Sequence, residues 1–379
     1  MTARDEVNVQ RVVLVTGHLG LGGAEKQLSL LARELCGRGI EAHVFVLSKG
    51  GPHEASLRDA GVEVHHLGFS RRPSGSAVLV GNLRAFAHLV KLLKQLRPDV
   101  LHGFLYESYV LGSIAARLAR VPVVVAGRRT QGYLKPRPRW YTALEKAVTG
   151  ITDHVIANAV AVAEGTCKVE RVPSHKVSVI YNGLPASAFE PAKPENIDTA
   201  LPVVLCVARL STNKGHRFLI DAAALLSRDG HPCTFVLVGD GAERKRLQRH
   251  VNELGVDVRF LGFHTNIEGF LARADVVVLP SISEGLSNAV MEAMAAGRPI
   301  VATRVGGTPE LLEGRGILAP PSDPAALAEG IVRLLDDPEL AVSLGAAARV
   351  WARKNLDMDV ITEEHINLYH QLMKARCAK

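Results

Sequence analysis

Two carboxylates eight residues apart, Glu284 and Glu292, carry the most specific chemical signal in the sequence. They lie in the run Pro280 to Gly297, where a short apolar strand, Val276–Leu279, leads into a loop bearing Glu284 and then a helix with Glu292 in its interior. The first turn of such a helix offers free backbone N–H groups. One acid near sugar hydroxyls and the other near a ribose diol could bracket a sugar nucleotide. Burying Glu292 among Ala289, Val290, Met291, Ala293 and Met294 without a partner would be costly, so a polar ligand is expected beside it. A solvated helix face is the plain alternative.

Two further segments place polar groups at strand ends. In Ala208-Arg209-Leu210-Ser211-Thr212-Asn213-Lys214-Gly215, a guanidinium follows a strand and an ammonium opens a helix, a pair suited to one diphosphate; in isolation it is also an ordinary basic turn. In Gly17-His18-Leu19-Gly20-Leu21-Gly22-Gly23-Ala24-Glu25, glycines let backbone N–H groups approach an anion at a helix N-terminus. A dinucleotide fingerprint starting at Gly20 and Gly22 would need a third glycine at 25, which is Glu, so an NAD site is disfavoured. The loop Gly262-Phe263-His264 is the candidate for base recognition, without telling uridine from guanosine or adenosine. The Asp-x-Asp at Asp357-Met358-Asp359 falls in a helical tail and reads as solvated surface rather than a metal clamp, so no metal is expected.

These residues need strands and helices to hold them. Short β-branched runs alternate with helical stretches, the pattern of βαβ units: Val12–Thr16, Ala42–Leu47, Val62–Leu67, Val100–His102, Val121–Val125, His154–Ala157 and Val177–Ile180 in the first half. Helices are expected at Ala24–Gly37 and Leu83–Leu96. After a proline-rich linker, Asn182–Pro202, a second series runs Val203–Ala208, Thr234–Val238, Val258–Leu261, Val276–Leu279, Ile300–Thr303 and Gly316–Leu318. The expected architecture is α/β, two Rossmann-like doubly wound domains facing each other across a cleft. Ligands would sit at the carboxyl ends of the strands. Residues 1–185 form one domain, 186–355 the other, and 356–379 a C-terminal helix crossing back to the first.

At 379 residues with 47% apolar and 22% charged residues, the chain suits two globular cores. Five scattered cysteines without a C-x-x-C pair read as buried thiols of a reducing cytoplasm. The polar N-terminus, followed by an apolar run of only Val12–Val15, is not expected to be a signal sequence, and no later apolar stretch is expected to span a bilayer. Residues 1–185 hold 24 Lys plus Arg against 14 Asp plus Glu, a net of +10, so this half should face something anionic. Between Gly127 and Gly150, Arg128, Arg129, Lys135, Arg137 and Arg139 alternate with Tyr133, Leu134, Trp140, Tyr141 and Leu144. That stretch suits an anionic membrane surface, and equally a solvated basic face. No RNA- or DNA-binding module is recognisable, so nucleic acid is not an expected partner.

The chain resembles family-4 retaining glycosyltransferases over nearly its whole length. Glu284 and Glu292 look like that family's E-x7-E motif, and Gly22-Gly23-Ala24-Glu25 and Arg209 with Lys214 match its other donor-site signatures in order. The resemblance implies the GT-B fold, with an acceptor-binding first domain and a second that binds the nucleotide sugar. It implies that Gly22 and Gly23 sit by the distal phosphate and that Arg209 and Lys214 hold the diphosphate. Glu284 and the amides of Gly285, Leu286 and Ser287 would contact the donor sugar, Phe263 would lie near the base, and Glu292 would bind ribose. Many members carry His-x-His after the fourth strand; here His102 fits the first position and Phe104 replaces the second. The implied activity is retaining, metal-independent transfer from a nucleotide diphosphate sugar to a glycan or lipid-linked acceptor, in polysaccharide or glycolipid biosynthesis. A cytoplasmic place, peripheral on the inner face of the membrane, goes with it. A nucleotide-sugar epimerase and a non-catalytic scaffold of the same fold are the alternatives.

Overall fold

The computed structural model describes residues 8–70, 76–130 and 139–378, which form two compact units. One comprises Met1–Gly183 with Met358–Lys379, the other Leu184–Asp357. Among the described residues the first holds seven strands, β1 (Arg11–His18), β2 (Glu41–Lys49), β3 (Glu63–His66), β4 (Val100–Phe104), β5 (Val123–Arg128), β6 (His154–Ala157) and β7 (Val177–Val179). The second holds β8 (Val203–Val207), β9 (Thr234–Val238), β10 (Val258–Gly262), β11 (Val276–Leu279), β12 (Ile300–Thr303) and β13 (Ile317–Ala319). The sheet orders are β3-β2-β1-β4-β5-β6-β7 and β10-β9-β8-β11-β12-β13, with parallel pairing throughout. Each unit is thus a Rossmann-like α/β layer structure. In each, the strand order reverses once, between β1 and β4 and between β8 and β11. That reversal opens the crevice in which doubly wound sheets receive ligands, at the carboxyl ends of the two strands.

The central strands β4 and β11 are buried along their full length, as parallel strands covered by helices on both faces must be. Helices pack on both faces through clusters such as Leu28, Leu31 and Leu35 against Val12 and Val44, and Leu219, Ala223 and Leu226 against Val204 and Phe235. The last helix, Met358–Cys377, returns to the first unit, burying Ile361, Leu368 and Tyr369 in its core.

Three expectations change. The segment read as a linker packs against the second unit: Ala186–Phe189 is a turn of 3-10 helix with Phe189 buried, and Glu195 N donates to Gly269 O. Helix Ser76–Leu96 begins seven residues before the expected Leu83 and is long and apolar enough, by length and composition, to cross a membrane; the expectation that no stretch reaches that length is corrected. Its Ala85, Leu89 and Leu93 are buried, the latter two in the first unit's core, while Leu79, Val80 and Leu83 are exposed. Of the cysteines, Cys206 and Cys233 are buried, Cys36 and Cys167 partly so, and Cys377 is exposed.

Candidate functional site

In the second unit, the loops leaving β8 and β11 meet. After β8 the chain runs through Arg209 to a short 3-10 turn, Thr212–Lys214, and then into helix His216–Arg228. After β11 it runs through Pro280 to Ser287, whose hydroxyl caps helix Asn288–Ala295 by accepting from Val290 N. Gly215 joins the two loops. It has φ +68°, and any side chain there would collide with the Pro280 carbonyl oxygen, so only glycine fits. Ile282 N donates to Asn213 O at 2.8 Å across the same junction. Thr303, at the end of β12, donates to Ser281 O at 2.5 Å, and Gly307 N donates to Gly285 O at 2.7 Å. The loops are therefore built into one another, with little freedom left to the side chains they carry.

The consequence is a direct contact between two expected site residues 70 positions apart. Lys214 Nζ lies 2.5 Å from Glu284 Oε1, and Ser281 Oγ donates to the same oxygen at 2.7 Å. The Glu284 side chain is 8% exposed and that of Lys214 21%, so the carboxylate is held in place with its charge answered while the lysine side chain keeps part of its surface open. A charge-assisted contact of this kind sets geometry as well as energy. Beneath it, burial pushes the Cys206 thiol up to about 12, which keeps it protonated and out of the chemistry.

Of the other expected residues, Arg209 is exposed beside this pair in the chain, Gly285, Leu286 and Ser287 are buried, and Phe263 is half exposed. Glu292 is half-buried and lines a cavity of about 150 Å³ with Pro191, Ile267, Leu271 and Arg298. Sequence reasoning missed two residues. Ser281 is fully buried and orients Glu284; a small hydroxyl three residues before an acid at a strand end was the available signal. His216, the first residue after Gly215, lines a cavity of about 440 Å³ together with Ser211, Gly215 and Ile282. Both its ring nitrogens are buried without a hydrogen-bond partner among the described residues, and burial, aided by Lys214, lowers its pKa to about 4.

The first unit's reversal point is arranged differently. The loop after β1 carries the expected glycines, with Gly22 capping helix Gly23–Gly37. The Glu25 carboxylate, itself buried, folds back against Gly22, and His18 Nε2 stands 3.5 Å from Glu25 Oε1. A protein carboxylate therefore borders the place expected for the distal phosphate. In the middle of β4, His102 is fully buried; its Nδ1 is 2.8 Å from Tyr369 Oη and its ring lies against Phe104. Burial holds its pKa well below the usual value, so it stays neutral. Leu105, next in the chain after β4, has φ +65°, a strained conformation at the mouth of the sheet.

The basic stretch expected to face a membrane is corrected in part. Arg128 is buried, donating to Glu170 at 3.0 Å with its guanidinium over the Tyr109 ring. Arg129 is buried as well, over Phe104 and donating to Asn182 Oδ1 at 2.7 Å. Neither reaches a surface. Tyr133, Leu134, Lys135 and Arg137 lie outside the described residues, as do the side chains of Arg139 and Trp140.

Comparison with known proteins gives the same answer from both halves of the chain. Residues 21–187 match the family described as Glycosyltransferase Family 4, and residues 201–337 match Glycosyl transferases group 1. The chain is 30% identical to 2-deoxystreptamine glucosyltransferase of Streptomyces kanamyceticus over 302 residues, covering 70% of this chain and 76% of that one. It is 27% identical over 355 residues to N,N'-diacetylbacillosaminyl-diphospho-undecaprenol alpha-1,3-N-acetylgalactosaminyltransferase of Campylobacter jejuni, covering 87% and 92%. Among solved structures, Anabaena HepE in complex with UDP is similar with a TM-score of 0.80 and 25% identity over 95% of this chain and 99% of that one. The same protein with UDP-glucose gives a TM-score of 0.79. Matched in both units by sequence and across nearly its whole length by fold, the chain belongs to glycosyltransferase family 4 and is a glycosyltransferase of the GT-B fold.

Proposed function

We propose that this glycosyltransferase works with retention and without a metal, moving a sugar from a nucleotide diphosphate donor to a hydroxyl of a glycan or lipid-linked acceptor. The observation that carries the reading is the contact of Lys214 with Glu284 at the reversal point of the second unit. In the reaction, the bond from the anomeric carbon to the diphosphate oxygen breaks and a bond to the acceptor oxygen forms on the same face. The acceptor proton passes to the departing diphosphate. Negative charge grows on the diphosphate in the transition state, and preorganised cations and N–H groups stabilise it most where water is excluded. Lys214 and Arg209 take that role. Glu284, held by Ser281, receives hydroxyls of the donor sugar with the Gly285, Leu286 and Ser287 amides. Glu292, on the wall of a small cavity with apolar Ile267 and Leu271, takes the ribose diol, with Phe263 near the base. Gly22 and Gly23 offer N–H groups to the distal phosphate.

The UDP and UDP-glucose of the HepE complexes support a uridine donor as the first to test, and the undecaprenol-linked substrate in the Campylobacter relative's name supports a lipid-linked acceptor held at a membrane. The test is the configuration of the product. With a UDP-sugar of known anomeric form, NMR of the new glycoside should show the donor's configuration, and transfer should continue in EDTA. An inverted product, or loss of turnover in chelator restored by magnesium, would overturn the retaining or the metal-free assignment. Nucleoside diphosphate released only when acceptor is added separates transfer from epimerisation, and no release at all would leave a binding scaffold.

A further inference from the structure

On the far side of the first sheet from β7, a short pattern occurs twice: Glu41-Ala42-His43 on β2 and Glu63-Val64-His65 on β3. Side chains alternate along a strand, so the acid and the histidine of each pair share a face. The parallel register sets His43 opposite Glu63 and Phe45 opposite His65, which brings both pairs onto the same face. There, His43 Nδ1 lies 3.2 Å from His65 Nε2, and Glu63 Oε2 lies 3.4 Å from each of those nitrogens. The other nitrogen of the His43 ring is 2.8 Å from Glu41 Oε1, and Glu41 is fixed in turn by Arg11 at 2.6 Å. With its Nε2 proton given to Glu41, His43 keeps the Nδ1 lone pair aimed at the other two groups. A carboxylate orienting a histidine from behind is the usual support of a metal ligand.

We propose that His43 Nδ1, His65 Nε2 and Glu63 Oε2 bind a first-row divalent cation such as zinc, with water completing the coordination. Ligand atoms about 2.0–2.2 Å from a tetrahedral ion lie about 3.3–3.6 Å from one another, close to the three separations observed. Two imidazoles and one carboxylate favour zinc, cobalt or nickel over magnesium and calcium, which take oxygen donors. The cluster is also graded in access. The His43 side chain is 1% exposed, that of His65 23% and that of Glu63 68%, so two rings are held by the protein while one carboxylate and the open position face solvent. Phe45 packs edge-on against His65 at 5.0 Å and holds its plane. The site lies toward the amino end of β2, on the outer pair of strands and away from the glycine loop that follows the carboxyl end of β1, so the ion pins edge strand β3 to β2 and takes no part in transfer. The same 3.2 Å contact is short enough for a hydrogen bond between the two rings, which is the arrangement without an ion.

The full chain, stripped with chelator and desalted, is titrated with zinc chloride and with magnesium chloride by calorimetry. Cobalt is added in a parallel sample read by visible absorption. One equivalent of zinc should bind, with no saturable heat from magnesium, and cobalt should give the strong visible bands of a four-coordinate site. His65→Gln and Glu63→Gln, both at exposed or half-exposed positions that leave the fold intact by circular dichroism, should each weaken zinc binding at least tenfold and reduce the cobalt bands. Cys377→Ser should change neither. Absence of saturable zinc binding, or binding unaltered in both cluster variants, would show a hydrogen-bonded histidine pair and overturn the proposal.

Discussion

At the reversal point of the second unit, the loops after β8 and β11 bring Lys214 and Glu284 into a part-buried contact. At the corresponding point of the first unit, His102 and Phe104 of β4 and Arg129, just beyond β5, are all buried, with Arg129 over the Phe104 ring and His102 hydrogen-bonded to Tyr369 of the last helix. The two scaffolds have the same layers and the same strand reversal. They differ in what becomes of charge. In the second unit it is preserved in a part-buried pair whose members are 70 residues apart; in the first it is neutralised by burial or laid on an aromatic ring. The lesson is that the doubly wound fold supplies a crevice, while the loop residues decide whether it does chemistry.

The largest effect should come from breaking the charged pair. On the proposed role, Lys214→Ala takes a cation from the departing diphosphate and leaves Glu284 only its Ser281 hydrogen bond, so turnover should fall about a hundredfold, the usual consequence of losing one transition-state donor. Near-normal turnover would remove Lys214 from the chemistry.

Acid should separate the two units. Burial lowers the pKa of His53, His65, His102, His154 and His365 in the first unit and of His216 in the second. Such groups are neutral when folded and take up protons on unfolding, so their stabilisation is complete above the unfolded value near 6.5 and is lost as pH falls below it. For His365, at about 3, and His216, at about 4, the loss between pH 6.5 and 5 is about 2 kcal/mol each. Hydrogen exchange corrected for intrinsic rates should show the first unit opening before the second at pH 5. Simultaneous opening, or the reverse order, would break the comparison.

Two substitutions probe its finer points. Gly215→Ala forces a side chain into the Pro280 carbonyl at positive φ and should cost on the order of 1–3 kcal/mol in denaturant unfolding. Tyr369→Phe leaves His102 Nδ1 without its partner and should cost about 1 kcal/mol, with no change in turnover or in its pH profile. A shifted pH profile in Tyr369→Phe would give His102 a chemical role that its burial denies.

The strands were the most legible part of the sequence. Runs buried on both faces, such as His154–Ala157, Thr234–Val238, Val276–Leu279 and Ile300–Thr303, have the same bounds in sequence and structure because apolarity along the whole strand marks them. The start of helix Ser76–Leu96 was not legible, since Leu79, Val80 and Leu83 are apolar yet exposed and blur the periodicity that locates a helix. At the site, residue types and order were readable, but the Lys214 to Glu284 contact was not: it depends on Gly215 touching Pro280, a tertiary fact between distant loops. Arg128 misled for the same reason, because its partner Glu170 is 42 residues on and local sequence shows only the charge.

Whether the second unit binds the nucleotide of the donor is decided by calorimetric titration of UDP into the full chain and into Glu292→Ala. A ribose diol whose acceptor has been removed loses a hydrogen bond in an enclosed site, which weakens binding well beyond tenfold where the acceptor is charged. Saturable UDP binding to the unaltered protein and its loss in a folded Glu292→Ala variant is the predicted result; equal binding by both proteins would contradict the account.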